Sequence, residues 1–149
     1  MTAIRDKSIL IIDDDAAMLR ALNKVLSDAG AMVTSARWAG EAVEYLSDHQ
    51  RRFDLIITDL RMPIVSGTSL LGAVKVAFPK VPVIIITAFG NSELEAECLD
   101  KGAAAFLEKP LDTPTLLGAI ERVLSPRQPD CARRVRRPRR VRKTKNVAV

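Results

Sequence analysis

An α/β fold, built on a doubly wound five-stranded parallel sheet, is the architecture the sequence predicts. Three observations carry that expectation. Five short apolar runs alternate with five segments of helical period. The runs are continuous in apolarity rather than alternating, as strands buried on both faces are. Each run also passes abruptly into polar residues, several of them charged, at its carboxyl end.

The elements follow in order. "SILII" (8–12) reads as a buried strand, and "DDD" (13–15) follows it directly. Asp15 to Ala29 is a helix with Leu19, Leu22, Leu26 and Ala29 on one face, stopped by Gly30. "MVTSA" (32–36) is a short strand and Trp38 to Asp48 a helix. "FDLIITD" (53–59) is a second buried run ending in a carboxylate. Ser66 to Phe78 is a helix with Leu70, Leu71 and Val74 inward and Pro79 beyond its end. "VPVIIIT" (81–87) is the most apolar strand, and Asn91 to Lys101 a helix stopped by Gly102. "AAAFLEK" (103–109) is the last strand. Thr113 is the expected N-cap of a final helix, with Pro114 at its first position and its end near Leu124.

Charge divides the chain in two. Residues 1–125 hold 13 Lys and Arg against 17 Asp and Glu, a sum of −4; residues 126–149 hold 10 against one, a sum of +9, which together give the net +5. We therefore expect a mildly acidic domain over 1–125 and a basic, unfolded tail over 126–149. Cys98 and Cys131 are too few and too far apart for a disulfide framework or a zinc site. The N-terminus lacks a signal-peptide core, and no apolar run approaches the ~20 residues that span a bilayer. A soluble, cytoplasmic protein is the expectation.

Sites in parallel sheets form at the carboxyl ends of the strands. There the sequence places Asp13, Asp14, Asp59, Thr87 and Lys109. Neighbouring carboxylates repel one another and need water or a cation between them. Three acids together are hard oxygen ligands, and Mg²⁺ typically takes one or two carboxylates, several waters and a phosphate oxygen. Lys109 adds a point cation and Thr87 a hydroxyl donor. A carboxylate nucleophile, a metal, a cation and a hydroxyl are the parts needed for phosphoryl transfer onto aspartate.

"IIDDD", "ITDLRMP", "IIITA" and "FLEKP", in that order, resemble the response-regulator receiver domain of two-component signalling, the CheY-like family, over roughly residues 7–125. The resemblance implies a flavodoxin-like fold with strand order 2-1-3-4-5. It implies that Asp59 is the phosphoacceptor and that Asp14 binds Mg²⁺ directly and Asp13 partly through water. The backbone carbonyl of Arg61 would be the third protein ligand. Thr87 and Lys109 would contact the phosphoryl group. Phe106 falls at the aromatic switch position, and the Lys109–Pro110 bond is one that is cis in the family. The implied partners are a sensor histidine kinase or phosphotransfer protein, and an effector protein or a second phosphorylated copy. The implied output surface is formed by the last two helices and the strand between them. Such a domain is a signalling switch rather than an enzyme, with slow self-phosphorylation and dephosphorylation.

Plainer readings compete residue by residue. Asp15 is best taken as a helix N-cap, the commonest use of an acid there. For Asp13 and Asp14 the acid ending a neighbouring strand, Asp59, favours the metal site. Thr87 and Lys109 are read with that site rather than as strand filler and solvated lysine. Phe106 is either switch or core. His49 is a solvated helix-end residue, Cys98 a small buried hydrophobe, and Trp38 has no assigned function.

Rival functions fare worse. A haloacid-dehalogenase-type phosphatase needs an acid two residues after its nucleophile, where Arg61 stands. A flavodoxin-like electron carrier needs a Ser/Thr/Gly-rich phosphate loop where "DDDAAM" stands. A third reading makes the chain a nucleic-acid-binding protein through "RRVRRPRRVRKTKNVAV" (133–149), with the domain as scaffold. That tail has no aromatic residue to stack on bases and no apolar membrane anchor; a solvated terminus is the alternative.

Overall fold

The structure, a computed structural model, describes residues 3–48, 50–59, 67–88 and 90–125. Ten elements alternate: β1 (Ser8–Ile12), α1 (Ala16–Asp28), β2 (Met32–Ala36), α2 (Ala39–Ser47), β3 (Leu55–Thr58), α3 (Gly67–Ala77), β4 (Val83–Thr87), α4 (Ser92–Asp100), β5 (Ala105–Glu108) and α5 (Thr113–Leu124). All strand pairs are parallel and the order is β2-β1-β3-β4-β5, as the resemblance implies. The chain reverses direction of winding between β1 and β3, so the carboxyl ends of those two strands flank the crevice where ligands bind in such sheets.

Side-chain alternation sorts the apolar strands into two cores. Leu10, Ile12, Ile56, Val83 and Ile85 pack with Ala42, Leu70, Leu71, Val74 and Cys98 on the α2, α3 and α4 side. Ile9, Ile11, Leu55, Ile57, Ile84 and Ile86 pack with Leu19, Leu22, Leu26, Leu116 and Ile120 on the α1 and α5 side. Each fully buried Ile or Leu contributes about 1.5–3 kcal/mol of transfer free energy. The sheet is thus anchored through both faces, and its edges are left to carry polar groups.

The observed strands are shorter than the sequence runs at positions 53–54, 59, 81–82, 103–104 and 109. Asp54, just before β3, donates its amide to the Ser8 carbonyl at 2.7 Å and accepts from the Ser8 amide on its carboxylate at 2.9 Å, tying the starts of β3 and β1. One expected cap is corrected. Asp112, not Thr113, is the N-cap of α5, its Oδ1 accepting from the Thr115 amide at 2.9 Å, while Thr113 is the first helical residue. Asp15 does cap α1, accepting from Ala17 and Met18. Gly30 and Gly102 take φ of +98° and +105°, the left-handed turn that ends a helix and that only glycine adopts without strain. His49 and the whole of 126–149, including Cys131, lie outside the described residues.

Candidate functional site

Three strand ends build one rim. The Asp13 amide donates to the Ala36 carbonyl at 3.1 Å and the Asp59 amide to the Ile12 carbonyl at 3.1 Å, so each acid takes up its place by continuing the sheet ladder past its own strand. The Lys109 amide donates to the Thr87 carbonyl at 2.8 Å and fixes the lysine in the same way beyond β5. The Lys109–Pro110 bond is cis.

The side chains then converge. Lys109 Nζ lies 3.0 Å from Asp13 Oδ2 and 3.1 Å from Asp59 Oδ2. Asp13 and Asp59 are buried, at 3% and 8% exposure, whereas Asp14 points to solvent. Carboxylate oxygens of Asp13, Asp14 and Asp59 all lie within 4.8 Å of one another. Thr87 is fully buried at the end of β4. Thr58 turns its hydroxyl to donate to the Asp59 carbonyl at 3.1 Å.

Burial pushes the Asp13 carboxyl above its ordinary value, and the Asp59 charge adds to that; the Asp15 amide, which donates to Asp13 Oδ1 at 2.9 Å, and Lys109 act in the opposite direction. For Lys109 burial favours loss of the proton, but hydrogen bonds and charges from Asp13 and Asp59 outweigh it and hold the ammonium above its usual range. Three carboxylates and one ammonium leave a formal charge of −2 in a half-buried notch. A divalent cation with a preference for oxygen ligands matches that deficit in both charge and chemistry. The residues present therefore fit Mg²⁺.

Comparison with known proteins agrees with this geometry. The sequence model described as "Response regulator receiver domain" matches residues 9–121. The chain belongs to that family. The receiver is 35% identical over 117 residues to the transcriptional regulatory protein ZraR of Escherichia coli O157:H7, covering 78% of this chain and 26% of that protein. It is 30% identical over 118 residues to the DNA-binding transcriptional regulator NtrC of Proteus hauseri, covering 79% of this chain and 24% of that one. The receiver chain thus spans about a quarter of the length of these curated relatives. Among solved structures, a CheY-like receiver domain protein from Methanospirillum hungatei JF-1 superimposes with a TM-score of 0.75 at 32% identity, covering 80% of this chain and 94% of that one.

In the receiver, Asp13, Asp14, Asp59 and Lys109 lie together, and Thr87 ends the strand next to β5. Arg61 lies outside the described residues. Phe106 is half-buried against the α2, α3 and α4 core, on the same face of the sheet as Ile85 and hence as Thr87 two residues on. Cys98 is completely buried, as a small hydrophobe would be. Trp38 is the N-cap of α2 but makes no capping hydrogen bond; it stands 53% exposed just past the end of β2, beside the strand that delivers Asp13. Sequence reasoning passed over Gly90, which lies against Phe106 and Glu108. A missing side chain leaves no motif to find.

Proposed function

We propose that this receiver accepts a phosphoryl group on Asp59 from a phosphohistidine of a partner kinase or phosphotransfer protein. The P–N bond to the donor imidazole breaks as a P–O bond to an Asp59 oxygen forms, and water later hydrolyses the acyl phosphate back to carboxylate and inorganic phosphate. Asp13, Asp14, Asp59 and the Arg61 carbonyl would hold Mg²⁺, which when bound offsets negative charge on the carboxylate and phosphoryl oxygens. Lys109, held between Asp13 and Asp59, presents a fixed positive charge that an incoming phosphoryl oxygen can take over from Asp59. The Thr87 hydroxyl would donate to another such oxygen. The observation that carries this reading is the lysine bridge: one ammonium within 3.1 Å of acids from two strands, in an acidic cluster.

Phosphorylation then acts as a switch. Movement of Thr87 toward the phosphoryl group opens space for Phe106 to turn inward, which reshapes the α4, β5 and α5 surface that an effector or a second copy would read. Turning a 1:99 equilibrium into 99:1 requires the modified state to be favoured by about 5.5 kcal/mol. The site is expected to work in the cytoplasm; no helix among the described residues is long and apolar enough to cross a membrane. Incubation with acetyl phosphate and Mg²⁺ labels the wild-type chain, and Asp59→Asn abolishes the label. Undiminished labelling of that variant overturns the assignment.

The tail supports a second activity. Ten cations against one acid in 126–149 suit sequence-independent binding to nucleic-acid phosphates, with the receiver as regulator or scaffold. Since α5 ends at Leu124, a 1–125 truncation removes no described element. The full chain should be retained on a nucleic-acid column at low salt and released steeply as salt rises, and the truncation should pass through. Equal retention of both removes this reading.

A further inference from the structure

The loop between β4 and α4 has Thr87 at one end and Asn91, the N-cap of α4, at the other; Asn91 Oδ1 accepts from the Leu94 amide at 2.8 Å and its carbonyl from the Glu95 amide at 2.9 Å. Gly90 precedes that cap. A methyl group built on Gly90 would lie 2.8 Å from Phe106 Cε1, 3.1 Å from Phe106 Cζ and 3.0 Å from Glu108 Cγ. Such approaches are well inside the ≈ 3.5–4.0 Å optimum for carbon atoms. The ring of Phe106 is therefore seated on bare backbone.

The backbone itself makes no demand for glycine here. Among the described residues the left-handed glycines are Gly30 and Gly102, and Gly90 is not one of them. What alanine would violate is the space of the ring. Phe106, Glu108 and Thr87 lie on one face of adjacent strands, since Ile85 pairs with Phe106 and Thr87 with Glu108. Gly90 thus closes a short circuit: from Thr87 along three residues to the cap of α4, and from the same point sideways onto the ring.

We infer that Gly90 is a positioning residue of the switch: its lack of a side chain lets the Phe106 ring rest against the β4–α4 loop, and this contact couples the ring to the start of α4. The inference deepens the proposed phosphorylation switch and rests on it for its biological meaning, but the contact is present in the unmodified chain and is tested there. A methyl group at position 90 evicts the ring, a hinged side chain, more readily than it moves the sheet. The ring then leaves the loop, and the contact that couples it to the start of α4 is lost.

The test is a double-mutant cycle on the full chain, with Gly90→Ala, Phe106→Ala and the pair. In the unphosphorylated protein, Gly90→Ala should shift the amide resonances of Phe106, Glu108 and residues 91–95, and the same substitution should be nearly silent when Phe106 is already Ala. Gly90→Ala should also move the beryllofluoride concentration at half-saturation severalfold, a change lost in the Phe106→Ala background. Equal resonance shifts with and without the ring, no shift in either, or an unchanged beryllofluoride midpoint overturns the inference. Asp59 labelling by acetyl phosphate, followed in the same variants, separates this outcome from failure of the phosphoacceptor assignment: label that persists with no ring-dependent shift removes only the role of Gly90.

Discussion

Two helices of this receiver, α1 and α4, both start at the rim that carries the acids, and they are held in different ways. α1 runs for 13 residues, buries Leu19, Leu22 and Leu26 in the core, and is capped by Asp15. α4 runs for nine residues, buries Cys98 alone and half-buries Leu94, and carries Glu93, Glu95, Glu97 and Asp100 along with an exposed Leu99. The apolar area that fixes a helix against its sheet is therefore far larger for α1. The rigid helix follows the strand that delivers Asp13, whereas the loosely fixed one follows the strand that ends at Thr87. The half of the rim that carries Asp13 is backed by a well-buried helix, and the half that ends at Thr87 leads into an element that little apolar burial restrains.

Mutations can break or sharpen that contrast. Leu26→Ala removes a fully buried side chain and should cost about 2–5 kcal/mol in urea unfolding. Leu94→Ala, at a half-buried site that can relax, should cost well under half of that. Equal costs would collapse the contrast. In the native chain, amides of α4 should exchange with solvent faster than those of α1, since local opening tracks the burial an element loses; slower exchange in α4 would refute it.

The caps offer a finer comparison. Asp15→Ala and Asn91→Ala each delete one side-chain acceptor at a helix start and should cost about 0.5–2 kcal/mol. In the short helix, fraying should spread through the first turn, so that Asn91→Ala raises exchange at residues 92–95 while Asp15→Ala leaves Leu22 and Leu26 protected.

The smallest expected effect is electrostatic. Glu95 is largely exposed, yet its carboxyl is held above the ordinary 4.5, first because neighbours shield part of it from water and then because Glu108 carries the same charge. The folded chain thus binds this proton more tightly than the unfolded chain does, and ionised Glu95 opposes folding at neutral pH. Glu95→Gln should raise Tm slightly at pH 7, and the gain should fade as acid protonates the wild-type side chain and vanish well below pH 4.5. A gain independent of pH would assign it to something other than charge.

Legibility in the sequence followed the physics of each feature. β1, β3 and β4 were plain because burial on both faces demands unbroken apolar runs, the half-exposed edge strands β2 and β5 were read from their place between helices, and the helices were plain where Leu19, Leu22 and Leu26 or Leu70, Leu71 and Val74 recur at helical spacing. Their exact limits were less so: Asp54 and Asp112 act by side-chain hydrogen bonds to particular amides, and only coordinates identify which amide is in reach. The convergence of Asp13, Asp14, Asp59 and Lys109 could be read because parallel topology sends every strand's carboxyl end to one rim. The seat of Phe106 on Gly90 could not, since it depends on where a loop passes over an aromatic ring.

Trp38 is the chain's single tryptophan, and it stands exposed on the rim beside the strand that leads into Asp13. An indole in that position is a built-in optical probe. Its emission reports on the carboxyl end of β2, the strand paired with the one that leads into Asp13, so a change of colour or brightness on adding Mg²⁺ or beryllofluoride would register an effect at that end of the sheet without a dye or a label.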